Sequence, residues 1–460
     1  MSLLASLSTA TAGMTAAGVR AQTASSNISN VETPGYVRRT AVLTQRGANG
    51  VTAVGVDRYQ DQILIQSRRG AQAQSTHSAV MSQTLSRAIG TFGEPGSQTG
   101  IFGRFSQFES DLQTLRGTPE SGAAQLVAVG SLNDLIQSIS NTSRSLQVER
   151  TSADARLVGE IDQANSIASS LFDLNLAIRA SSGQDLSSSS LLDQRDQLLD
   201  QLNESLPVLV DYEESGAVKV RTTSGLTLVG ATLNEIEFSG SGRIGSVDTN
   251  TENGGRLSVP SIDGIPIGTG SGVHGLKDGR IAAYLDLRDV ALPEQAAGLD
   301  AFSFELASAL DAAGEPLLLD NGNPVDPLAT LGLSERLVLN PLVDPSRGGD
   351  PARLRDGLAA TVPGQPSDDT NLTRLTEIVT PFADRLGEII SNASSAAYRA
   401  ERIHAGNTAR EITLTEAEQQ ISAVDLDYEL QSLLAIEQAY SANARVIQTV
   451  SDMLDTLTRL

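Results

Sequence analysis

The sequence of 460 residues holds 33 lysines and arginines against 55 aspartates and glutamates, which gives a formal net charge of −22. Its length exceeds that of one compact core, so several domains are expected. The acidic balance argues against binding to nucleic acids or anionic membranes, and the lack of cysteine excludes disulfides and thiol catalysis. No apolar run reaches the length of about 18 residues that predicts a membrane-spanning helix. With three histidines far apart in the sequence, we expect no metal site and no cofactor.

The N-terminal segment follows a heptad pattern. Nine apolar residues recur at alternating spacings of four and three, which is the repeat of a coiled-coil seam. They are Leu3, Leu7, Ala10, Met14, Ala17, Ala21, Ala24, Ile28 and Val31. Because the middle of this seam is alanine, we expect a helix that a second helix approaches closely near its centre.

The C-terminal segment repeats the pattern over four heptads. Its seam consists of Leu433, Ile436, Tyr440, Asn443, Ile447, Val450, Leu454 and Leu457. A single asparagine in such a seam lowers stability but can fix the register or the number of partners. Two amphipathic helices packed on one globular domain would also explain both segments. About 30 residues of helix is roughly 45 Å long, however, and the outer faces carry few charges, so we favour burial against further copies.

The terminal helices are therefore predicted to carry an assembly interface. Its residues are Leu3, Leu7, Met14, Ile28, Leu433, Tyr440, Asn443, Ile447, Leu454 and Leu457. The charge distribution agrees with this hypothesis, because residues 1–46 carry a net charge of +3 while residues 180–330 hold 23 acids and 8 bases. In this interpretation the terminal helices lie inside an assembly and the acidic middle faces solvent.

Helical periodicity extends over much of the remaining chain. Apolar stripes predict helices through residues 120–206, where Pro207 ends the pattern, and again from 280 to 310. A further helix is predicted at about 371–408, with Pro381 at a kink or joint.

The centre of the chain shows the alternation that is typical of β-strands. Two alternating runs around a Glu-Ser-Gly turn predict a hairpin at 207–222. Further short strands are expected at 226–230, 235–238 and 256–259, separated by Gly, Ser and Asn. The centre is thus predicted to be a β-rich insert, residues 207–274.

The predicted fold is mainly α with a β-rich inserted domain. The N- and C-terminal helices pair as an extended coiled-coil-like element, a helical middle domain follows, and the β insert forms a small outer domain. The predicted boundaries are 1–45 and 415–460 for the terminal helical core domain, 46–206 and 275–414 for the middle domain, and 207–274 for the outer domain.

Two patterns match catalytic or binding motifs without the context that such motifs need. Residues 270–275 read Gly-x-Gly-x-x-Gly, but a dinucleotide site requires a buried strand before the glycines and a helix after them. We expect a loop there. Asp193, Asp196 and Asp200 lie at helical spacing, which suits a metal site or an acid–base pair. Since no histidine accompanies them, we expect a solvated helix face.

The segment SNISNVETPGYVRR, residues 26–39, combines an Asn-rich helix end with Thr-Pro-Gly-Tyr and arginine. The proline favours a turn and the glycine supplies a positive φ. A fixed bend of the chain is one interpretation, and a plain helix-to-loop exit is the other. The residues of the bend would be Asn30, Thr33, Pro34, Gly35 and Tyr36.

This segment resembles the N-terminal motif of the bacterial flagellar rod, hook and hook-associated proteins. The tail at 424–457, with its Gln-Ala-Tyr and Ala-Arg-Val-Ile-Gln-Thr stretches, is similar to the C-terminal helix of the same family. Residues 181–230 carry Ser-Gly-x-Asp, Leu-x-Asp-x-Arg-Asp-x-Leu and Leu-Val-Gly, and they are similar to the members at the junction between hook and filament. Glu32 departs from the small polar residue usual in the motif, and the chain is shorter than enterobacterial relatives, which implies that an outer domain is reduced or absent.

The resemblance implies a structural axial subunit and not an enzyme, located in the extracellular flagellum at the hook–filament junction. It implies export, largely unfolded, through the flagellar type III apparatus, with an export chaperone as a partner beforehand. The other implied partners are further copies in a ring of about eleven subunits, the hook protein and the second hook–filament junction protein. The alternatives are a hook or rod subunit, a secreted acidic hydrolase with a carboxylate pair in the β insert, and an adhesin.

Overall fold

The structure, a computed structural model, describes residues 3–45, 50–93, 99–181, 186–270, 272, 274–311 and 316–458. Most of these residues are helical. The helices are α1 (Leu3–Ser29), α2 (Gln62–Gly90), α3 (Ile101–Gly117), α4 (Gly122–Ala180), α5 (Leu186–Ser205), α6 (Gly279–Asp286), α7 (Leu292–Leu310), α8 (Leu333–Arg336), α9 (Arg353–Asp356), α10 (Thr370–Val379), α11 (Phe382–Ser422) and α12 (Leu426–Thr458). None of the helices in these ranges has both the length and the apolar character needed to cross a membrane.

Short strands form small sheets between the helices. The strands are β1 (Arg39–Gln45), β2 (Val51–Arg58), β3 (Val208–Tyr212), β4 (Val218–Thr222), β5 (Thr227–Val229), β6 (Ile236–Glu237), β7 (Ser261–Ile262), β8 (Ile265–Pro266), β9 (Leu318–Asp320) and β10 (Leu337–Leu339). The strand orders are β1-β2, β3-β4-β5, β6-β7-β8 and β10-β9. In the described residues no sheet exceeds three strands, so the helices supply most of the core.

The backbone contacts group the chain into two compact units. Unit 1 consists of Met1–Ser75, Asp162–Ile236 and Asn407–Leu460, and unit 2 consists of Thr76–Ile161 and Glu237–Gly406. This grouping differs from the predicted domain boundaries, because residues 207–236 of the predicted β insert, with the β3-β4-β5 sheet, belong to unit 1 while residues 237–274 belong to unit 2. The three predicted domains stay a prediction.

Unit 1 is built around the two terminal helices. α1 packs against α12, and the antiparallel ribbon of β1 and β2 packs on α1. The β3-β4-β5 sheet is joined to the end of α4 by Asn175. Its Nδ2 donates to the Val218 carbonyl at 2.8 Å, and its Oδ1 accepts from the Val218 N–H at 2.9 Å. Both polar ends of this buried amide are therefore satisfied.

The core of unit 2 combines aliphatic side chains with three phenylalanines. Phe302 of α7 packs edge-on against Phe105 of α3 and Phe382 of α11, with ring centroids 6.4 and 5.9 Å apart. Such edge-to-face pairs contribute about 0.5–1.5 kcal/mol beyond the area that they bury. The three rings thus join three helices that are distant in the sequence.

A buried ion pair holds the segment between α6 and α7 against α4 in unit 2. This segment, Leu287–Ala291, is a π-helical turn. Arg288 Nη1 lies 2.7 Å from Asp154 Oδ1, and the two side chains are 0% and 2% exposed. The other oxygen, Asp154 Oδ2, accepts from the Ser241 N–H at 2.7 Å. Because each buried charge needs its partner, the pair fixes the position of the turn.

Most of the predicted elements are present. The hairpin at 207–222 is β3 and β4, and Pro381 lies at the joint between α10 and α11. The prediction of a strand at 256–259 is wrong: of those residues, Leu257 alone forms a bridge, to Asn250, and β7 begins at Ser261. The ribbon of β1 and β2 was not predicted, although both runs are rich in valine and threonine, which favour strands.

Removing the positive charge of Arg288, which is buried in unit 2, should destabilise the protein strongly. We expect Arg288→Leu to lower the free energy of unfolding by about 3–5 kcal/mol, because Asp154 is left buried without its partner. The matched control is Arg104→Leu, which breaks the Arg104–Asp134 pair, whose side chains are 38% and 56% exposed. The control should cost less than about 1 kcal/mol. Urea denaturation followed by circular dichroism measures the free energy of unfolding of both variants. Equal losses of stability would contradict a structural role of the buried Arg288–Asp154 pair.

Candidate functional site

The terminal helices form an antiparallel pair. Gly13 of α1 lies against Asn443 of α12, and Asn27 of α1 lies against Glu429 of α12. A Cβ atom on Gly13 would lie 2.8 Å from the Asn443 amide nitrogen, closer than van der Waals contact allows. The glycine therefore permits the close approach of the two helices at the asparagine of the predicted seam.

The structure places the ten predicted interface residues in two environments. Eight are half-buried: Leu3, Leu7, Met14, Ile28, Leu433, Asn443, Ile447 and Leu454. Tyr440 and Leu457 are 45% and 59% exposed. The pairing within one chain buries the other seam residues Ala10, Ala17, Ala24, Ile436 and Val450 but leaves these ten side chains only partly covered. The role of these residues in an assembly stays a prediction.

Another row of apolar side chains on α12 is open to solvent. This exposed strip consists of Leu426, Leu430 and Leu434, which are 42–61% exposed. The three leucines are spaced by four residues and share one helix face. Leu430 and Leu434 also line an apolar groove of about 710 Å³ that α12 forms with α1. The heptad seam predicted for this helix does not include the strip, although its four-residue spacing is visible in the sequence.

Asn27 is the hydrogen-bonding centre at the end of α1, and it is 1% exposed. Its Nδ2 donates to the Arg39 carbonyl and to Glu429 Oε1, both at 2.9 Å. Its Oδ1 accepts from the Arg39 N–H at 3.0 Å and from the Tyr36 hydroxyl at 2.9 Å. The amide thus uses its full capacity of two donors and two acceptors. One side chain joins α1, β1 and α12.

The turn motif, residues 30–36, is held by short-range bonds and by α5. Asn30 Nδ2 donates to a carbonyl one turn back in α1 at 2.8 Å, and its own carbonyl accepts from the Thr33 N–H at 2.9 Å. Gly35 has a φ of 76°, a conformation that strains other residues. Gln197 of α5 lies against this glycine and donates to the Pro34 carbonyl at 2.7 Å. These contacts favour the interpretation as a bend, and the function of the bend stays a prediction.

A group of opposite charges joins α5 to β1, β2 and α2. This arginine–aspartate cluster consists of Arg39, Arg58, Arg68, Arg69, Arg195, Asp193, Asp196 and Asp200. Arg58 Nη2 lies 2.8 Å from Asp193 Oδ1 and 2.7 Å from Asp196 Oδ2. Arg39 Nη2 lies 2.7 Å from Asp193 Oδ2. One aspartate thus connects the start of β1 with the end of β2.

Asp200 extends the cluster toward α2 and α11. Its two oxygens lie 2.7 Å from Arg68 Nη2 and 2.6 Å from Arg69 Nε. Arg68 also forms an ion pair with Glu418 of α11. Together with Glu418, the cluster therefore ties five elements of unit 1 (α5, β1, β2, α2 and α11) through charge-assisted contacts, which are stronger than neutral hydrogen bonds.

The pKa values of Asp193 and Asp196, the two more buried carboxyls of the cluster, shift in opposite directions. Burial raises the pKa of the Asp193 carboxyl above its usual value, although Arg58 and Arg39 oppose the shift. Burial acts in the same sense on Asp196, but Arg195, Arg58 and Arg69 together hold the pKa of that carboxyl below its usual range. Both effects are those of paired, desolvated charges.

The expectation that Asp193, Asp196 and Asp200 form a solvated helix face is wrong. The side chains of Asp193 and Asp196 are 10% and 15% exposed, and all three contact arginines. The missed signal is the arginine pair at 68–69 together with Arg39 and Arg58, because buried carboxylates require basic partners.

The chemistry of a metal or nucleotide site is not found in the part of the chain that the structure describes. No group of three or more acidic or histidine side chains there could hold a metal ion. Of the glycine pattern at 270–275, the described residues lie in a loop, as predicted, and α6 begins only at Gly279. Ser182 to Asp185, which contribute to the resemblance, lie outside the described residues.

Comparison with known protein families places the chain in one of them. The family model described as the flagellar hook-associated protein FlgK helical domain matches residues 85–318, just over half of the sequence. The chain therefore belongs to the family of flagellar hook-associated proteins. A second model, for the C-terminal part of the flagellar basal body rod FlgEFG proteins, matches residues 419–460.

Individual relatives are 24–27% identical to the chain over the aligned residues. Flagellar hook-associated protein 1 of Salmonella typhimurium is 27% identical over 354 residues, which cover 72% of this chain and 63% of the relative. The proteins of the same name from Escherichia coli and Bacillus subtilis are each 24% identical to this chain. Their alignments cover 98% of this chain, 98% of the Escherichia coli protein and 96% of the Bacillus subtilis protein. The solved structure of the flagellar hook junction protein FlgK from Burkholderia pseudomallei matches with a TM-score of 0.45 at 22% sequence identity. The match covers 56% of this chain and 45% of the Burkholderia chain.

Replacing the buried side-chain amide of Asn27 should lower the stability of the protein far more than replacing the amide of Asn30. We expect Asn27→Ala to lower the free energy of unfolding by about 3 kcal/mol, because buried groups that lose their partners cost about 1–3 kcal/mol each. Asn30→Ala, the matched control, loses bonds on a more exposed turn and should cost less than about 1 kcal/mol. Urea denaturation measures the two values, and a loss for Asn27→Ala no larger than the control would be the contrary result.

The contact between Asn27 and Glu429 should respond to pH. Burial raises the pKa of the Glu429 carboxyl above 4.5, although Asn27 and Arg38 oppose the shift. The native carboxyl then binds its proton more tightly than the unfolded one, so the native protein gains stability as the pH falls through the raised pKa. Glutamine imitates the protonated form at every pH. We therefore expect Glu429→Gln to be more stable than the native protein near pH 7, with a difference that narrows toward pH 4.5.

Urea denaturation of both proteins between pH 7 and pH 5 measures this difference. A difference that widens as the pH falls would show that the carboxylate is stabilised, and not destabilised, by its buried position.

Proposed function

We propose that this chain is a structural axial subunit of the bacterial flagellum, which polymerises at the hook–filament junction and connects the hook to the filament. Membership of the hook-associated family supports the proposal. So does the similarity over 98% of the chain to proteins named flagellar hook-associated protein 1. The protein would act outside the cell, as a part of the flagellum.

The observation that carries the proposal is the exposed strip of α12. Leu430 and Leu434, 51% and 61% exposed, line an apolar groove beside α1. Contiguous exposed apolar surface is typical of an interaction site. Burying a large apolar side chain contributes about 1.5–3 kcal/mol, so the three leucines of the strip can supply a substantial part of the free energy of an association between copies.

The predicted residues have complementary roles in this proposal. The half-buried seam of α1 and α12 would complete its burial against neighbouring copies. The turn motif would set the direction in which the helix pair leaves the rest of unit 1, since α5 holds Pro34 and Gly35 from one side. The residues 1–45 and 415–460 would form the inside of the assembly, and 207–274 its outer surface.

The proposed partners follow from the same position in the flagellum. They are further copies in a ring of about eleven subunits, the hook protein, the second hook–filament junction protein and, before export, a flagellar export chaperone. A chain exported in an unfolded state through the type III apparatus would benefit from the absence of cysteine, because no disulfide can form before or during passage.

A hydrolase is the less favoured alternative. Such an enzyme needs two carboxyls free to exchange protons beside a cleft. In the predicted β insert, Asp211, Glu213 and Asp248 instead each form an ion pair with an arginine. The chain also matches a family of flagellar hook-associated proteins. A hook or rod subunit would share the C-terminal helix, which matches the rod family model, and the match at 85–318 favours the junction. Among the described residues, no contact favours an adhesin.

Electron microscopy of intact flagella, labelled with an antibody against residues 205–275, tests the proposal. We expect one labelled band where the curved hook meets the filament. Label along the whole hook would indicate a hook subunit. Flagella without label would refute an axial role.

A variant of the exposed strip tests the mechanism of assembly in the same assay. Leu434→Glu should leave the fold of the monomer unchanged by circular dichroism and reduce the junction band by about ten-fold or more, because a carboxylate would be buried. Val148→Glu alters a helix residue that is 67% exposed elsewhere and serves as the control. Normal bands with Leu434→Glu would exclude the strip as an interface.

A further inference from the structure

A loop of unit 2 presents a leucine almost completely to solvent. Leu328 is 94% exposed, and Leu331 is 57% exposed. The loop is held firmly: Arg336 Nε lies 2.8 Å from Asp320 Oδ1, and Arg336 Nη2 donates to the Ala329 carbonyl at 2.9 Å. A loop fixed in this way loses little conformational entropy when it binds a partner.

Two aspartates complete the support of this loop, which we call the Leu328 loop (residues 326–332). Asp326 Oδ1 accepts from the Leu328 N–H at 2.9 Å, and Asp300 Oδ2 accepts from the Gly332 N–H at 2.7 Å. Asp300 is buried, whereas Asp326 is exposed. The loop therefore presents an apolar tip with a carboxylate two residues away.

The same unit contains a groove with complementary chemistry. This groove has a volume of about 400 Å³ and lies between α2, α7 and α11. Its apolar lining includes Leu85, Phe92 and Ile389. Gly298 of α7 lies close to Ile389, since a Cβ atom on it would lie 3.6 Å from the Ile389 Cγ2. The absence of a side chain at this position keeps the groove open between the two helices.

Polar groups around the groove lack partners. Arg399 lines the groove, is exposed and forms no ion pair with any other described residue. Glu294 lines the part of the groove that α7 forms. The side-chain oxygen of Gln295, Oε1, is buried and accepts no hydrogen bond in the part of the chain that the structure describes. An incoming chain that carries an apolar side chain, a carboxylate and a hydrogen-bond donor would satisfy all three features.

We propose that the Leu328 loop of one copy docks in this groove of a second copy. Leu328 would contact the apolar lining, and Asp326 would lie toward Arg399. The proposal rests on the proposed function as a self-assembling subunit and names one contact between its copies. Copies with a net charge of −22 repel one another, so contacts between them need local pairing of opposite charges.

The type of contact suits a repeating assembly. The loop and the groove are different surfaces of the same unit, so each copy offers one to a neighbour and the other to the next. Contacts between two different patches generate rings or helices, whereas a contact between identical patches ends with a dimer.

The absence of native cysteine allows a direct test by disulfide cross-linking. The full-length chain with Leu328→Cys and Ala396→Cys replaces the native protein in flagellated cells, since Ala396 lines the groove. Isolated flagella are oxidised and analysed by electrophoresis without reductant. We expect cross-linked oligomers at least about ten-fold more abundant than with the control pair Leu328→Cys and Val362→Cys, because disulfides form only between Cα atoms within about 7 Å.

Flagella that carry a normal junction band but yield no cross-linked oligomers from the groove pair would overturn the docking and leave the proposed function standing. Equal cross-linking by the control pair would overturn it as well. The absence of a junction band for the native chain would instead refute the proposed function.

A second variant keeps the test decisive if the cysteine pair prevents assembly. Leu328→Glu should reduce the junction band by about ten-fold or more relative to Val362→Glu, at an unchanged circular dichroism spectrum. Equal bands for the two variants would overturn the docking.

Discussion

The attraction between α5 and the arginines of β1, β2 and α2 is the interaction on which unit 1 depends. Arg39 and Arg58 are direct cross-strand partners in the ribbon. Like charges in such positions repel and weaken a two-stranded sheet. Asp193 contacts both arginines and replaces this repulsion with two attractions. The ribbon is therefore complete only when α5 lies beside it.

The same helix also determines the surroundings of α1. Gln197 of α5 donates a hydrogen bond to the Pro34 carbonyl. Asp193 of α5 forms an ion pair with Arg39. The backbone of Arg39 is in turn hydrogen-bonded to the side chain of Asn27. The contacts thus lead from α5 through β1 to the end of α1 and on to Glu429 of α12. A helix whose aspartates have the spacing of a catalytic or metal site acts here as a structural support. Ionisable residues in close array serve packing as readily as chemistry when each has a buried partner.

The sequence was sufficient for the features that depend on local periodicity. The terminal helices, the β3–β4 hairpin and the joint at Pro381 follow from spacing and from proline geometry. It was insufficient for features that depend on distant partners. The burial of Asp193 could not be derived from α5 alone, because the arginines that compensate it lie more than a hundred residues earlier. Asn27 was recognised as part of a helix end, but its bond to Glu429 depends on the pairing of α1 with α12.

The pairing of the first helix with the last has a consequence for the order of folding. The contact between Asn27 and Glu429 spans 402 positions. Contacts between residues so far apart carry a large loop-closure entropy and form late, whereas hairpins and adjacent helices form early. During synthesis α1 must wait until nearly the whole chain has been made before α12 exists to cover it. Until then only the ribbon of β1 and β2 can pack on this helix, and the side of α1 that α12 later covers stays open to other molecules.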